Sequence, residues 1–212
     1  MEAKKKKYCF YVIILSIFLF LCILASASVG SSSITIGDSF KVILSKIPII
    51  NNLIDTADIK EVYEVIIWKV RLPRILQASL VGGALAVVGC TFQAIFRNSL
   101  ADPHILGISS GASAGAAWAL LMPLPLFSGP YQTTAAAFLG ALLSAWVVYF
   151  MAKMAGGGQL RPVTLLLSGT AVNAVMSAVT SFLIFLAKSP ESIAAVYNWQ
   201  MGSIAAAQWK NL

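Results

Sequence analysis

Five long apolar stretches limit how this chain can fold more than any other feature of its sequence. They run from Tyr8 to about Val29, Ile75 to Phe96, Ile105 to Met122, Tyr131 to about Ala152, and Val163 to Ala187. About 20 mostly apolar residues are enough for an α-helix to cross the hydrocarbon core of a bilayer. No Asp or Glu lies inside any of the five stretches. We therefore expect an all-α fold, a polytopic transmembrane helix bundle with about five spans, which forms a single membrane domain over residues 1–212.

The composition excludes two other classes of protein. Charged residues make up 11% of the chain and hydrophobic residues 58%, whereas soluble domains carry roughly 25% charged residues. A soluble enzyme or a disordered chain is therefore excluded. The net charge of +7 does not indicate a nucleic-acid partner, because Lys4–Lys7 directly precede the first apolar stretch. That arrangement is typical of a membrane segment whose N-terminus is cytoplasmic.

The first stretch has two interpretations. A basic start, an apolar core and the small residues Ala25, Ser26 and Ala27 fit a cleaved signal peptide. The apolar core is longer than the usual 7–15 residues of a signal peptide, which favours a retained helix.

A cytoplasmic N-terminus places the loop 30–70 outside the cell. Asp38 is predicted to be the N-cap of a first helix in this loop. A second stretch, Asp58 to Lys69, places Ile59, Val62 and Ile66, with Tyr63 close by, on one helical face. Two amphipathic helices could lie on the outer membrane surface or cover the bundle as a lid.

Small and polar residues recur at four-residue spacing in two of the predicted spans. One set is Gly107, Gly111 and Gly115, and the other is Gly169, Asn173, Ser177 and Ser181. Small residues at this spacing let helices pack closely in lipid. An asparagine within the membrane needs a hydrogen-bond partner or a wet cavity, so the second set either joins helices or lines a polar pathway.

Residues suited to catalysis or metal binding are sparse. The chain has one histidine, His104, and its three cysteines have no CxxC spacing. No phosphate-binding Gly-x-x-x-x-Gly-Lys sequence occurs. The sequence predicts no catalytic residue, no metal site and no cofactor in this chain. Energy for uphill transport would have to enter through another chain.

Two polar clusters remain. Arg71-Leu72-Pro73-Arg74 lies at the outer end of the second stretch, and a dense polar turn, Gln93 to Gly107, follows at its inner end. Two guanidinium groups held near a proline suit the recognition of carboxylates. The simpler alternative for the arginines is ordinary anchoring at the membrane interface.

These clusters, together with Arg161 to Gly169, Trp199 to Ser203 and Trp209, carry a family resemblance. In their order and spacing the chain resembles the FecCD-like permease subunit of bacterial ABC importers for iron-siderophores, haem and vitamin B12. Ser99 departs from the pattern, because the family often has proline there.

The resemblance implies a ten-span permease of which this chain gives the first part, with the sixth span and the ATPase-coupling loop absent from residues 1–212. It implies alternating access in the bacterial cell membrane. The partners would be a second permease copy or paralogue, an extracytoplasmic binding protein, and a cytoplasmic ATPase that holds ATP and Mg. By similarity, Arg71 and Arg74 would dock the binding protein, and Asn98 and Leu100 would form part of a cytoplasmic gate.

Two other classes compete with a transporter. A membrane scaffold or assembly subunit without a pathway would explain the small residues, but it needs neither the arginine pair nor the polar inner turn. A membrane-embedded enzyme is disfavoured because the five stretches lack the acidic residues and histidine that such chemistry uses.

Overall fold

The computed structural model describes residues 2–30, 34–46, 60–122 and 131–212. Its elements, in chain order, are α1 (Glu2–Ser28), α2 (Ile36–Ser45), α3 (Glu61–Glu64), a π-helix (Val65–Arg71), α4 (Leu72–Phe96), a 3-10 turn (Pro103–Leu106), α5 (Ile108–Leu121), α6 (Gln132–Ala155), α7 (Pro162–Phe185), α8 (Pro190–Met201) and a final 3-10 turn (Trp209–Asn211).

Within the described part of the chain, four helices are long and apolar enough to cross a membrane: Lys5–Ser28, Glu61–Phe96, Gln132–Ala155 and Pro162–Phe185. A fifth apolar helix, Ile108–Leu121, is shorter. The all-α membrane bundle predicted from the five apolar stretches is thus confirmed. α5 begins at Ile108 rather than Ile105, because a 3-10 turn occupies Pro103–Leu106 and ends at Gly107, whose φ is 69°.

The prediction that Asp38 is the N-cap of α2 is wrong. Thr35 takes that position, and its Oγ1 accepts a hydrogen bond from the main-chain N–H of Asp38 at 3.1 Å. Thr35 Oγ1 also donates to Asp38 Oδ2 at 2.8 Å. Thr and Asp are both good N-caps, and the two residues stand three apart, as the N-cap and third helical residue do in a capping box. The residue types alone therefore could not show which of the two is the N-cap.

The stretch from Asp58 to Lys69 is not a separate surface helix. From Glu61 onwards the chain is continuously helical through the π-helix into α4. Ile66 and Tyr63 pack against a buried apolar cluster of Ile34, Val42 and Ile67, and an ion pair between Lys46 and Glu64 joins the same elements. Ile59 lies outside the described residues. Two residues of the predicted apolar face, Tyr63 and Ile66, thus hold α2 against the helix that leads into α4. Val62 was predicted to lie on the same face, but its side chain is 62% exposed and takes no part in the cluster.

The chain divides into two compact units, Met1–Gly83 with Ile204–Leu212, and Ala84–Ser203. In the second unit α5 packs against α6, α7 and α8, and α6 also packs against α7. Ala117, Leu183 and Val196 form the buried apolar cluster of this unit. A single membrane domain over residues 1–212 stays a prediction.

Candidate functional site

Arg71, one of the two predicted docking residues, binds the main chain of α1. Its Nη1 donates to the carbonyl oxygen of Ala27 at 2.7 Å. Ala27 lies in the last turn of α1, where helix carbonyls have no partner within the helix and a cationic side chain is favourable. Arg71 therefore stabilises the C-terminal end of α1.

Arg74, the second predicted docking residue, lies one turn further along, in α4. Its Nη2 donates to the carbonyl oxygen of Ala205 at 2.8 Å. Its Nε is buried and has no hydrogen-bond partner among the described atoms. A buried Nε cannot reach an acceptor on a partner protein, so any docking contact would have to use the terminal guanidinium nitrogens. The docking role of both arginines remains a proposal.

The inner turn is closed by side chains that bond to nearby main-chain atoms. Asn98 Oδ1 accepts from the main-chain N–H of Leu100 at 2.9 Å, and Gln93 Nε2 donates to the carbonyl oxygen of Ser99 at 3.1 Å. Arg97 adopts a left-handed conformation with a φ of 48°. Asparagine commonly forms such turns with the main chain two residues on. The turn presents Leu100 at its tip, where the side chain is 85% exposed.

The same turn then leads the chain into α5. Asp102 Oδ1 accepts from the main-chain N–H of His104 at 2.8 Å, and Pro103 begins the 3-10 turn that Gly107 ends. A Cβ on Gly107 would lie 2.8 Å from the main-chain nitrogen of Asn173 and 3.0 Å from the carbonyl oxygen of Gly169. Gly107 and Gly169 thus bring this turn and α7 into direct main-chain contact.

Gly111 and Gly115 contact α6 instead of α7. A Cβ on Gly111 would lie 2.6 Å from the carbonyl oxygen of Gly140 and would overlap the hydroxyl of Ser144. A Cβ on Gly115 would overlap the carbonyl oxygen of Ala136. The three glycines predicted to form one packing face therefore serve two neighbouring helices.

A cavity of about 300 Å³ lies within the second unit. Its lining is hydroxyl-rich and consists of Ser110 and Ser113 from α5, Ser177, Thr180, Ser181 and Ile184 from α7, and Tyr197 and Gln200 from α8. The four α7 residues predicted from their four-residue spacing therefore have two different roles. Gly169 and the main chain of Asn173 pack against the preceding turn, whereas Ser177 and Ser181 line the cavity.

Sequence reasoning missed α8 and its contribution to the cavity, Tyr197 and Gln200. The signal was present at both ends of the helix. Ser189 is the N-cap, with Pro190 at the first helical position, and Gly202 follows the last residue. Serine, proline and glycine are typical of these three places. The helix is only 12 residues long and modestly apolar, so a search for membrane spans passes over it.

Comparison with known proteins gives one family and a consistent set of relatives. The model of the FecCD transport family matches residues 17–212. A cobalamin import system permease protein of Halobacterium salinarum is 40% identical over 154 residues, which cover 73% of this chain and 40% of that protein. A hemin transport system permease protein of Yersinia pestis is 39% identical over 149 residues, which cover 69% of this chain and 43% of the relative.

A longer alignment pairs 98% of the chain with 57% of an ABC transporter permease protein from Methanocaldococcus jannaschii, at 34% identity. Among solved structures, an inward-facing ABC transporter assigned to the metal-chelate type has a TM-score of 0.72 and 28% sequence identity. That alignment covers 94% of this chain and 55% of the solved one. The chain spans about 40% to 57% of the length of these curated relatives.

Proposed function

Because the chain belongs to the FecCD transport family, we propose that it is the transmembrane permease subunit of an ATP-driven importer for an iron-siderophore, haem or cobalamin. The cobalamin and hemin permeases among its relatives support two of these three ligands. The ligand would pass from an extracytoplasmic binding protein to the cytoplasm of a bacterial cell by alternating access, with the N-terminus of the permease in the cytoplasm.

The observation that carries the proposal is the hydroxyl-lined cavity between α5, α7 and α8. Its lining offers hydroxyl groups and one amide, and none of the eight lining residues carries a formal charge. A passage must bind its ligand well enough to admit it and weakly enough to release it. Several neutral hydrogen-bonding groups meet that need better than a single strong ionic contact. We assign this cavity to the wall of the translocation pathway.

The inner turn supplies a gate in this scheme. Leu100 stands at the tip of a turn that the Asn98 side chain closes. An exposed apolar side chain at the tip of this turn can meet an equivalent residue of a second permease copy and exclude water from the closed pathway. Movement of the turn would then open the inner end.

Docking and energy supply involve partner chains. Arg71 and Arg74 would meet carboxylates of the binding protein at the outer end. ATP and Mg would bind to a cytoplasmic ATPase, whose hydrolysis cycle drives the permease pair between its two states.

The test is ATP-dependent uptake of labelled ligand by the assembled transporter in proteoliposomes. Ser177→Leu would fill the cavity and should reduce uptake at least tenfold while yield and thermal stability stay near wild type. Val175→Leu is the matched control, because Val175 is on the same helix, is 58% exposed and does not line the cavity. Unchanged uptake in Ser177→Leu would remove the cavity from the pathway. Absence of uptake in the wild-type complex, with every partner bound, would favour the non-transporting scaffold.

A further inference from the structure

The junction between the π-helix and α4 leaves one main-chain carbonyl without its helical donor. In a π-helix each N–H bonds to the carbonyl five residues earlier, and the main-chain N–H of Leu72 does so with Ile67. The next bond in this register would run from residue 73 to the carbonyl of Trp68. Residue 73 is proline, which has no main-chain N–H. The carbonyl of Trp68 therefore cannot be satisfied in that register.

The side chain of Trp209 supplies the missing donor. Its indole Nε1–H donates to the carbonyl oxygen of Trp68 at 2.7 Å. The two indole rings also contact each other, with ring centroids 5.0 Å apart and planes inclined by 35°. A residue 141 positions away in sequence thus completes the hydrogen bonding of the turn that carries the arginine motif.

A second contact joins the same segment to the motif. The carbonyl oxygen of Ala205 accepts the hydrogen bond from Arg74 Nη2. Between these two contact points Ala207 is buried, with 7% exposure. Residues 204–209, which we name the strap, therefore hold the motif on both sides of Pro73, at Trp68 before it and at Arg74 after it.

We propose that the strap, through Trp209 and Ala205, positions Arg71 and Arg74 for docking. Trp209 is a positioning residue in this scheme, since it acts on the arginines through the main chain of the π-helix. Pro73 creates the need for it by removing the local donor. The inference rests on the proposed docking role of the arginines, and it adds the element that fixes their orientation.

The test is a double-mutant cycle on binding-protein affinity, measured with the full permease–ATPase complex in nanodiscs. Trp209→Phe keeps an aromatic ring and removes the donor, and it should weaken affinity about 2- to 10-fold, the range expected for one net hydrogen bond. Pro73→Ala restores a main-chain N–H at residue 73. In that background Trp209→Phe should change affinity less than about twofold, because the carbonyl of Trp68 has a local donor again.

Trp146→Phe on α6 is the matched control. Trp146 is 63% exposed and stacks on Phe150 in the other unit, so its loss of an indole N–H should leave affinity unchanged. If Trp209→Phe matches this control, or if its effect is the same with and without Pro73, the strap does not position the arginines.

Hydrogen exchange separates failure of the strap from failure of docking. In the same complex without binding protein, Trp209→Phe should raise amide exchange in a peptide that covers Val65–Ile75, whereas Trp146→Phe should not. If Arg71→Glu with Arg74→Glu leaves affinity at the wild-type value, the docking role is wrong and so is the positioning role. Faster exchange would then show only that Trp209 stabilises the π-helix. Unchanged exchange in Trp209→Phe would overturn the strap even if the arginines do dock.

Discussion

Arg71 donates a hydrogen bond from Nη1 to the carbonyl oxygen of Ala27, so a residue predicted to face a partner stabilises the end of α1. A hydrogen bond that involves a charged group contributes about 1.5–3 kcal/mol, and Arg71 is only half-buried, so the lower part of that range applies here. Loss of function in an Arg71 variant can therefore come from weaker folding as well as from weaker docking. Arg74, whose hydrogen bond to Ala205 is exposed, gives the cleaner test.

Arg74→Glu should weaken the affinity of the assembled permease–ATPase complex for its binding protein by about 2 kcal/mol or more, because charge reversal places two carboxylates together at the interface. The affinity is measured across a salt series. The dependence of affinity on salt concentration should become weaker in the variant, along with the affinity itself. Lys69→Glu is the matched control, since Lys69 is exposed, lies five residues earlier and makes the same change in charge. Equal losses in the two variants would indicate a general charge effect and would contradict docking by Arg74.

Gly111→Ala should lower the thermal stability of the permease in detergent, at an overpacking cost of about 1–3 kcal/mol. The added Cβ would meet the carbonyl oxygen of Gly140 and the side chain of Ser144 on α6. Gly82→Ala is the control, because no atom lies within 4 Å of the position that its Cβ would take. The melting temperature of each variant, measured by tryptophan fluorescence, should fall only for Gly111→Ala, and a matching fall for both would show that the α5–α6 contact is not tight.

Leu100→Ala should leave the melting temperature near wild type, because an exposed side chain at a turn contributes about 0.5 kcal/mol or less to folding. If Leu100 belongs to the inner gate, the variant should instead leak. The measurement is passive flux of labelled ligand through reconstituted complex without ATP, compared with wild type. Asn98→Ala is informative beside it, since loss of its hydrogen bond to the N–H of Leu100 should affect both stability and leak. Wild-type flux in both variants would argue against a gate at this turn.

The orientation predicted from Lys4–Lys7 can be checked by thiol labelling of intact cells. Cys9, Cys22 and Cys90 are free and are first replaced by serine. Lys60→Cys should then react with an impermeant maleimide, whereas Gln159→Cys should react only after the membrane is permeabilised. Both positions are exposed in the structure, so side-chain burial will not confuse the result. The reverse pattern would place the arginine motif in the cytoplasm and exclude its docking role.

The sequence by itself was enough to predict five apolar helices in the right order, although the helix expected to begin at Ile75 is continuous from Glu61. Membrane crossing depends on local length and composition, so Tyr131 to about Ala152 could be predicted without knowledge of any neighbour, and α6 runs from Gln132 to Ala155. The motifs from Arg71 onwards likewise indicated the family, because their order and spacing can be taken directly from the linear sequence. The inner turn could be predicted for the same reason, since Asn98 bonds to a residue only two positions away.

Tertiary structure decided which surfaces meet. Gly107 and Gly111 share a four-residue spacing, yet Gly107 contacts α7 and Gly111 contacts α6. The spacing shows that small residues share a helix face, but it does not show which neighbouring helix packs on that face. The hydroxyl cavity needs three helices, and one of them, α8, is too short to be noticed as a membrane span. The bond from Trp209 to Trp68 joins residues 141 positions apart. Such pairings depend on the packing of the whole chain, because each contact is stabilised only once the others have formed. They therefore cannot be predicted from a local pattern of residues.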